Sequence, residues 1–154
     1  MLEKGKRHMI VISKEQIREI SENLDCGMKC YLNTETGELK TIIDFNSTPY
    51  ADEELREDVL NELEGNWDKY HEIPKMESHE SFDLMADFTE TVDNDNLRDS
   101  LINALNRKHP FRNFKWIIDN SGPYRQQWFD FKNQRLIQWV KDQLDASDIK
   151  YESE

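Results

Sequence analysis

Three groups of side chains in this sequence have the types and spacing to do chemistry. The first is Ser78-His79-Glu80 with Asp83 and Asp87. On a helix, His79, Asp83 and Asp87 stand one turn apart, so they would share a stripe of metal-ligand side chains. That is half a metal site, and His79 could also serve as a general base near neutral pH. No complete ligand set can be named around it. The plainer reading, which is preferred, makes Ser78 the N-cap and puts Glu80 in a first turn that favours acids. No cofactor is expected.

The second group is cationic: Arg107, Lys108, Arg112 and Lys115, with His109 among them and no acidic residue between Asp99 and Asp119. If Pro110 opens a helix, its unpaired first amides add to the positive field. Such a surface suits a phosphate, a carboxylate or an acidic protein segment. Phe111 and Phe114 interleave the cations, as in platforms for single-stranded nucleic acid. Against this, Phe at i and i+3 usually faces a core. The cations could also pair internally with acidic helices at 51–64 and 78–95, and that pairing is slightly preferred.

The third group lies on a long final helix. Tyr124, Trp128, Phe131, Arg135 and Trp139 form one stripe, and Phe129, Leu136, Val140 and Leu144 an adjacent one. This apolar arc is broader than a surface helix needs. Either the helix is sandwiched in the core, the preferred reading, or one stripe meets a partner. Mixtures of Trp and Arg are common at interface hot spots.

The charge layout frames all three groups. The chain of 154 residues carries a net charge of −12, yet residues 51–99 hold 17 acidic and 4 basic side chains and residues 100–141 hold 2 and 8. Nucleic-acid binding by the whole chain is disfavoured, because phosphate contacts need cations; binding through a local patch is not. The seven Phe, five Tyr and four Trp argue for a packed core rather than disorder. No stretch of about 18 apolar residues could span a membrane. The apolar run Met9–Ile12 is too short for a secretory signal, so the expected location is cytoplasmic. Cys26 and Cys30 lack the further ligands of a zinc site and read as free thiols, one of them buried. No phosphate-binding glycine loop, H-E-x-x-H or G-x-S-x-G motif is present.

The elements that must position these groups can be read in turn. Ser13 and Gln16 have capping-box spacing, with Ile17, Ile20 and Leu24 on one helix face and Gly27 at its end. A hairpin follows over residues 28–44, alternating at Met28, Cys30 and Leu32 and turning at Thr34–Gly37. Residues 8–12 or 70–73 could supply a third strand, which a marginal hairpin needs. A helix starting at Thr48-Pro49 would align Leu55, Val59 and Leu63 and stop at Gly65. Further helices are expected from Ser78 to Val92 and from Asn94 to Asn106. A short one opens at Pro110, and after Gly122-Pro123 a long one runs to about Leu144.

Several of these segments come in a recognisable order: Ile73-Pro74, Ser78-His79-Glu80-Ser81-Phe82 with Met85, Asp87 and Phe88, Pro110-Phe111-Arg112-Asn113-Phe114-Lys115, then Trp128-Phe129-Asp130-Phe131 and Arg135-Leu136. With the upstream Tyr31-Leu32 and Thr36-Gly37-Glu38, the set resembles the bacterial uncharacterised protein family UPF0158 over roughly residues 28–144. Asn106-Arg107-Lys108-His109 departs from that pattern, where a glycine-containing turn is expected. The resemblance implies a fold and leaves activity open, since the family brings no catalytic residues.

The expectation is therefore one α+β domain over residues 1–154, mainly helical over 48–145, with a hairpin or three-stranded antiparallel sheet and flexible ends at 1–12 and 146–154. Its expected role is a non-enzymatic binding or adaptor module for an acidic protein or anionic ligand, through Arg107, Lys108, Arg112, Lys115, Trp128 and Arg135. The alternatives are nucleic-acid binding through residues 107–115, or a metal-dependent enzyme built on His79, Asp83 and Asp87.

Overall fold

A computed structural model describes residues 10–43, 57, 60, 61 and 63–152. The chain forms two compact units. One is drawn from residues up to Lys75 and from Leu136 onward, the other is Met76–Arg135.

The first unit begins with β1 (Val11–Ile12) and α1 (Lys14–Asp25). The capping box forms as its residues dictate: Gln16 N donates to Ser13 Oγ at 3.1 Å, and Ser13 N donates to Gln16 Oε1 at 2.9 Å. Ile17, Ile20 and Leu24 are buried, and Gly27 closes the helix at φ +84°. The amide of Gln16 also donates to Gly37 O at 2.8 Å, tying α1 to the hairpin turn between β2 (Met28–Asn33) and β3 (Leu39–Ile43). In that turn Asn33 Oδ1 accepts from Glu35 N and Thr36 N, and Gly37 takes φ +79°.

The third strand is β4 (Tyr70–Ile73), not residues 8–12. It pairs antiparallel with β2, giving the order β3-β2-β4, with Cys30 opposite both Thr41 and Ile73. Both faces of β2 are covered. Cys30 and Leu32 join Ile12, Ile17, Ile20, Val140 and Leu144 in one core, while Tyr31 packs with Ile42 and Leu63. Of the helix face expected at Leu55, Val59 and Leu63, only Leu63 is among the described residues; it is fully buried, and Gly65 follows at φ +81°. The expected start at Thr48-Pro49 lies outside them. Both segments read as flexible ends contribute a strand: Val11–Ile12 pairs in parallel with β5 (Lys150–Tyr151), and Glu152 N donates to Ile12 O at 2.8 Å.

The two thiols are free and differ sharply. Cys26 is exposed and Cys30 buried. Burial, reinforced by the Glu19 charge, pushes the Cys30 thiol up to about 12. Thiolate is the reactive form. In the folded protein an aromatic disulfide reagent should therefore label one cysteine at pH 8, and both only after denaturant is added. Two equivalents released at once without denaturant would contradict this burial.

The second unit is helical: α2 (Ser78–Thr91), α3 (Asp95–Leu105), α4 (Pro110–Asp119) and the first part of α5 (Tyr124–Ala146). The N-cap of α2 is Glu77 rather than Ser78, which is instead the first helical residue. Glu80 reaches back, its Oε1 accepting from Glu77 N at 3.2 Å as in a capping box, so the helix starts one residue earlier than expected. Asn94 caps α3 by accepting from Leu97 N at 3.0 Å. The core collects Leu84, Met85, Phe88, Leu101, Phe114, Ile118 and Trp128. Its aromatics meet edge to face: Trp128 lies 5.3 Å from Phe88 and 5.0 Å from Phe114. Tyr124, at the start of α5, donates its hydroxyl to Asp93.

The broad apolar arc of the last helix now has a simple cause. Residues such as Trp128, Phe129 and Phe131 pack into the core of the second unit, whereas Ile137, Trp139, Val140 and Leu144 pack into that of the first. Trp139 also donates its indole N–H to Pro74 O at 2.8 Å. The whole is a mainly helical α+β protein with a small three-stranded antiparallel sheet. No helix among the described residues is long and apolar enough to cross a membrane.

Candidate functional site

The stripe of His79, Asp83 and Asp87 does not converge. Asp87 accepts from Arg135 Nη1 at 2.9 Å, and His79 Nδ1 lies 3.4 Å from the Glu77 carboxylate. Among the described residues, ligand-type atoms gather at Glu77, His79 and Glu80, within 4.8 Å of one another. These side chains are exposed or half-buried, and Glu80 is already engaged by the cap. The positive end of α2 works against a cation at this place. What the cluster does is start a helix.

A second arrangement escaped sequence reading. Ser147 Oγ and His71 Nε2 are 2.9 Å apart, beside a small cavity of about 160 Å³ that Thr34, Asp148 and Lys150 also line. Nucleophilic catalysis would need an orienting group on His71 and amides aimed at an oxyanion. Among the described residues no carboxylate pairs with His71, and the amides of Ser147, Asp148 and Ile149 are consumed in the turn after α5. Nothing in the sequence spacing of 71 and 147 could have announced the contact.

The cationic group has a different character. Arg107, Lys108 and Arg112 are exposed, and among the described residues none of them has an acidic partner. Internal pairing, preferred from sequence, is therefore not seen for these three among the described residues, which leave out most of the acidic segment 51–64. Lys115 reaches only Asp119, one turn on, at 4.0 Å. Such an exposed pair at the distance limit contributes little.

Helix geometry explains why aromatics surface here. Phe114 and Ile118, four apart, face the core at 1% and 0% exposure. Trp116 follows Phe114 by two residues, roughly 200° around the helix, and is 69% exposed. Phe111 and Ile102 of α3 are each 43% exposed. Of the two expected Phe residues, only Phe114 is core. Between α3 and α4 lies a groove of about 350 Å³ whose lining includes Asn103, Arg107, Asn113, Trp116 and Ile117. Trp116 was not singled out from sequence, although its offset from a core position was the available signal.

The loop entering α4 is strained. His109 sits at φ 56°, ψ 53°, the left-handed region, where a glycine-containing turn was expected. Left-handed backbone costs an L-residue about 1–2 kcal/mol, partly offset by the greater unfolded freedom of glycine. His109→Gly should therefore raise stability by about 0.5 kcal/mol and Tm by about 1–2 °C. A lower Tm would show that the His109 side chain itself stabilises the loop.

The two partner residues expected on the last helix are occupied. Trp128 is 9% exposed between aromatic rings, and Arg135 lies over the Phe131 ring at 4.8 Å while holding Asp87. Of the expected contact residues, the exposed cations thus lie in the loop between α3 and α4 and on α4.

Fold and surface together define a small, mainly helical α+β protein with an aromatic, cation-rimmed groove. A model of the uncharacterised protein family UPF0158 matches residues 6–154, and the chain belongs to that family. It is 31% identical over 135 residues to UPF0158 protein PA5073 of Pseudomonas aeruginosa, covering 87% of this chain and 83% of that protein. No solved structure matches the chain.

Proposed function

We propose that the protein is a non-enzymatic, cytoplasmic binding module that takes an anionic partner on the α3–α4 surface. The observation that carries this reading is the set Arg107, Lys108 and Arg112, exposed and, among the described residues, without acidic partners, beside a Trp that is 69% exposed. In a chain of net charge −12, cations left unpaired are an electrostatic asset only toward an anion from outside. Exposed aromatics next to Arg supply the apolar half of such recognition. A cytoplasmic setting agrees with the free thiols, one of them exposed.

The test uses a polyanion. At low ionic strength the protein should be retained on heparin despite its net charge, and Arg107→Glu/Arg112→Glu should pass through unretained. Free passage of the unmodified protein, or equal retention of both, would refute the reading.

A further inference from the structure

We infer that the α3–α4 groove receives a nucleobase and its neighbouring phosphates, so that the anionic partner is single-stranded nucleic acid. The inference rests on the anionic-partner reading and narrows it. Three features of the groove favour a nucleotide over an acidic peptide.

The first is the indole. Trp116 presents most of its surface to solvent from the wall of the groove. Stacking on such a ring is open to every base, since each has a π-face. A carboxylate gains nothing comparable, because a ring face is electron-rich.

The second is the hydrogen-bonding inventory. Asn113 Nδ2 donates to Lys108 O at 2.9 Å, which leaves Asn113 Oδ1 as a free acceptor. Among the described residues Asn103 has no side-chain partner, so it offers both donor and acceptor. Base edges present mixed donors and acceptors and can use such amides. The side chains of an acidic segment present acceptors alone, so only its backbone N–H groups could use the acceptors that these amides offer.

The third is the placement of charge. Arg107 lines the groove itself, and Lys108 and Arg112 flank it in the loop and first turn of α4. One cation in the groove and two more on the adjoining loop and helix turn suit a strand with a phosphate on either side of each base. The space, about 350 Å³, is at the small end of ligand pockets and fits one nucleotide unit rather than a large cofactor.

Fluorescence anisotropy with end-labelled ten-residue oligouridine and oligodeoxyuridine tests this on the full chain. Binding of either strand is expected, the comparison reporting the preferred sugar. Affinity should fall with salt at a log–log slope of about −2, as three phosphate contacts imply for a single strand. An abasic strand with the same phosphates should bind roughly ten-fold more weakly, and Trp116→Ala should lose a similar factor while Trp116→Phe retains most of the affinity. An unchanged melting curve confirms that Trp116→Ala remains folded. Equal binding of the abasic strand, unchanged affinity of Trp116→Ala, or equal competition by ten-residue polyglutamate would overturn the inference while heparin retention upholds the broader reading. Loss of heparin retention would remove both.

Discussion

Truncating Trp128 to Ala is expected to destabilise the protein by about 3–5 kcal/mol, the range for removing a large aromatic from a packed core. Trp128 is only 9% exposed and is held between two rings, at 5.3 Å and 63° to Phe88 and at 5.0 Å and 68° to Phe114. Edge-to-face pairs of this kind add about 0.5–1.5 kcal/mol beyond area burial. Trp128→Phe should recover part of the loss, because it keeps a ring though not the larger volume. Urea titration followed by circular dichroism at 222 nm reads the change without relying on the residue removed. A cost below about 1 kcal/mol, accompanied by lost partner binding, would restore Trp128 to the contact role that the sequence allowed it.

The second large effect belongs to the sheet. Leu32→Ala should cost about 2–5 kcal/mol. Leu32 has no exposed surface and sits on β2, the strand hydrogen-bonded on both sides, opposite Leu39 and His71. Its side chain fills the core shared by Ile12, Ile17, Ile20, Val140 and Leu144. A central position offers little room to collapse into the void, so the upper half of the range is expected. Leu39→Ala provides the comparison, since Leu39 is only partly buried and should lose much less. Equal losses at the two positions would mean that the described packing around β2 is wrong.

These two residues also mark how far the sequence could be read. Local chemistry carried well. Ser13 with Gln16, the Thr34–Gly37 turn, Asn94 before Leu97 and Pro110 each specify their geometry within a few residues. The start of α2 slipped by one residue because Glu77 and Ser78 both precede the same apolar run, and the reach of Glu80 decides between them.

Long-range features carried poorly. The choice of residues 70–73 over 8–12 as third strand depends on pairing partners that alternation does not encode, and β1–β5 is too short for any periodic signal. On the last helix, stripe membership placed Trp128 beside Arg135, yet a stripe has no marker for where one core ends and the next begins. The candidate surface was half legible. Its cations stood out by composition, whereas the lack of acidic partners for Arg107, Lys108 and Arg112 among the described residues and the outward turn of Trp116 follow only from tertiary packing.

The parallel pair of β1 and β5 has a consequence for how the protein is made. Its flanking contact, Lys14 N to the Glu152 carboxylate, joins residues 138 positions apart. At about 5–20 residues per second, a ribosome would take roughly 7–28 seconds to deliver the second strand after the first. Throughout that interval Ile12 O has no Glu152 amide to accept from, while α1 can already form on its own cap. A nascent chain stalled before Lys150 should thus expose this edge to whatever surveys unfinished proteins. Closing that pair would complete the strand pairing of the first unit.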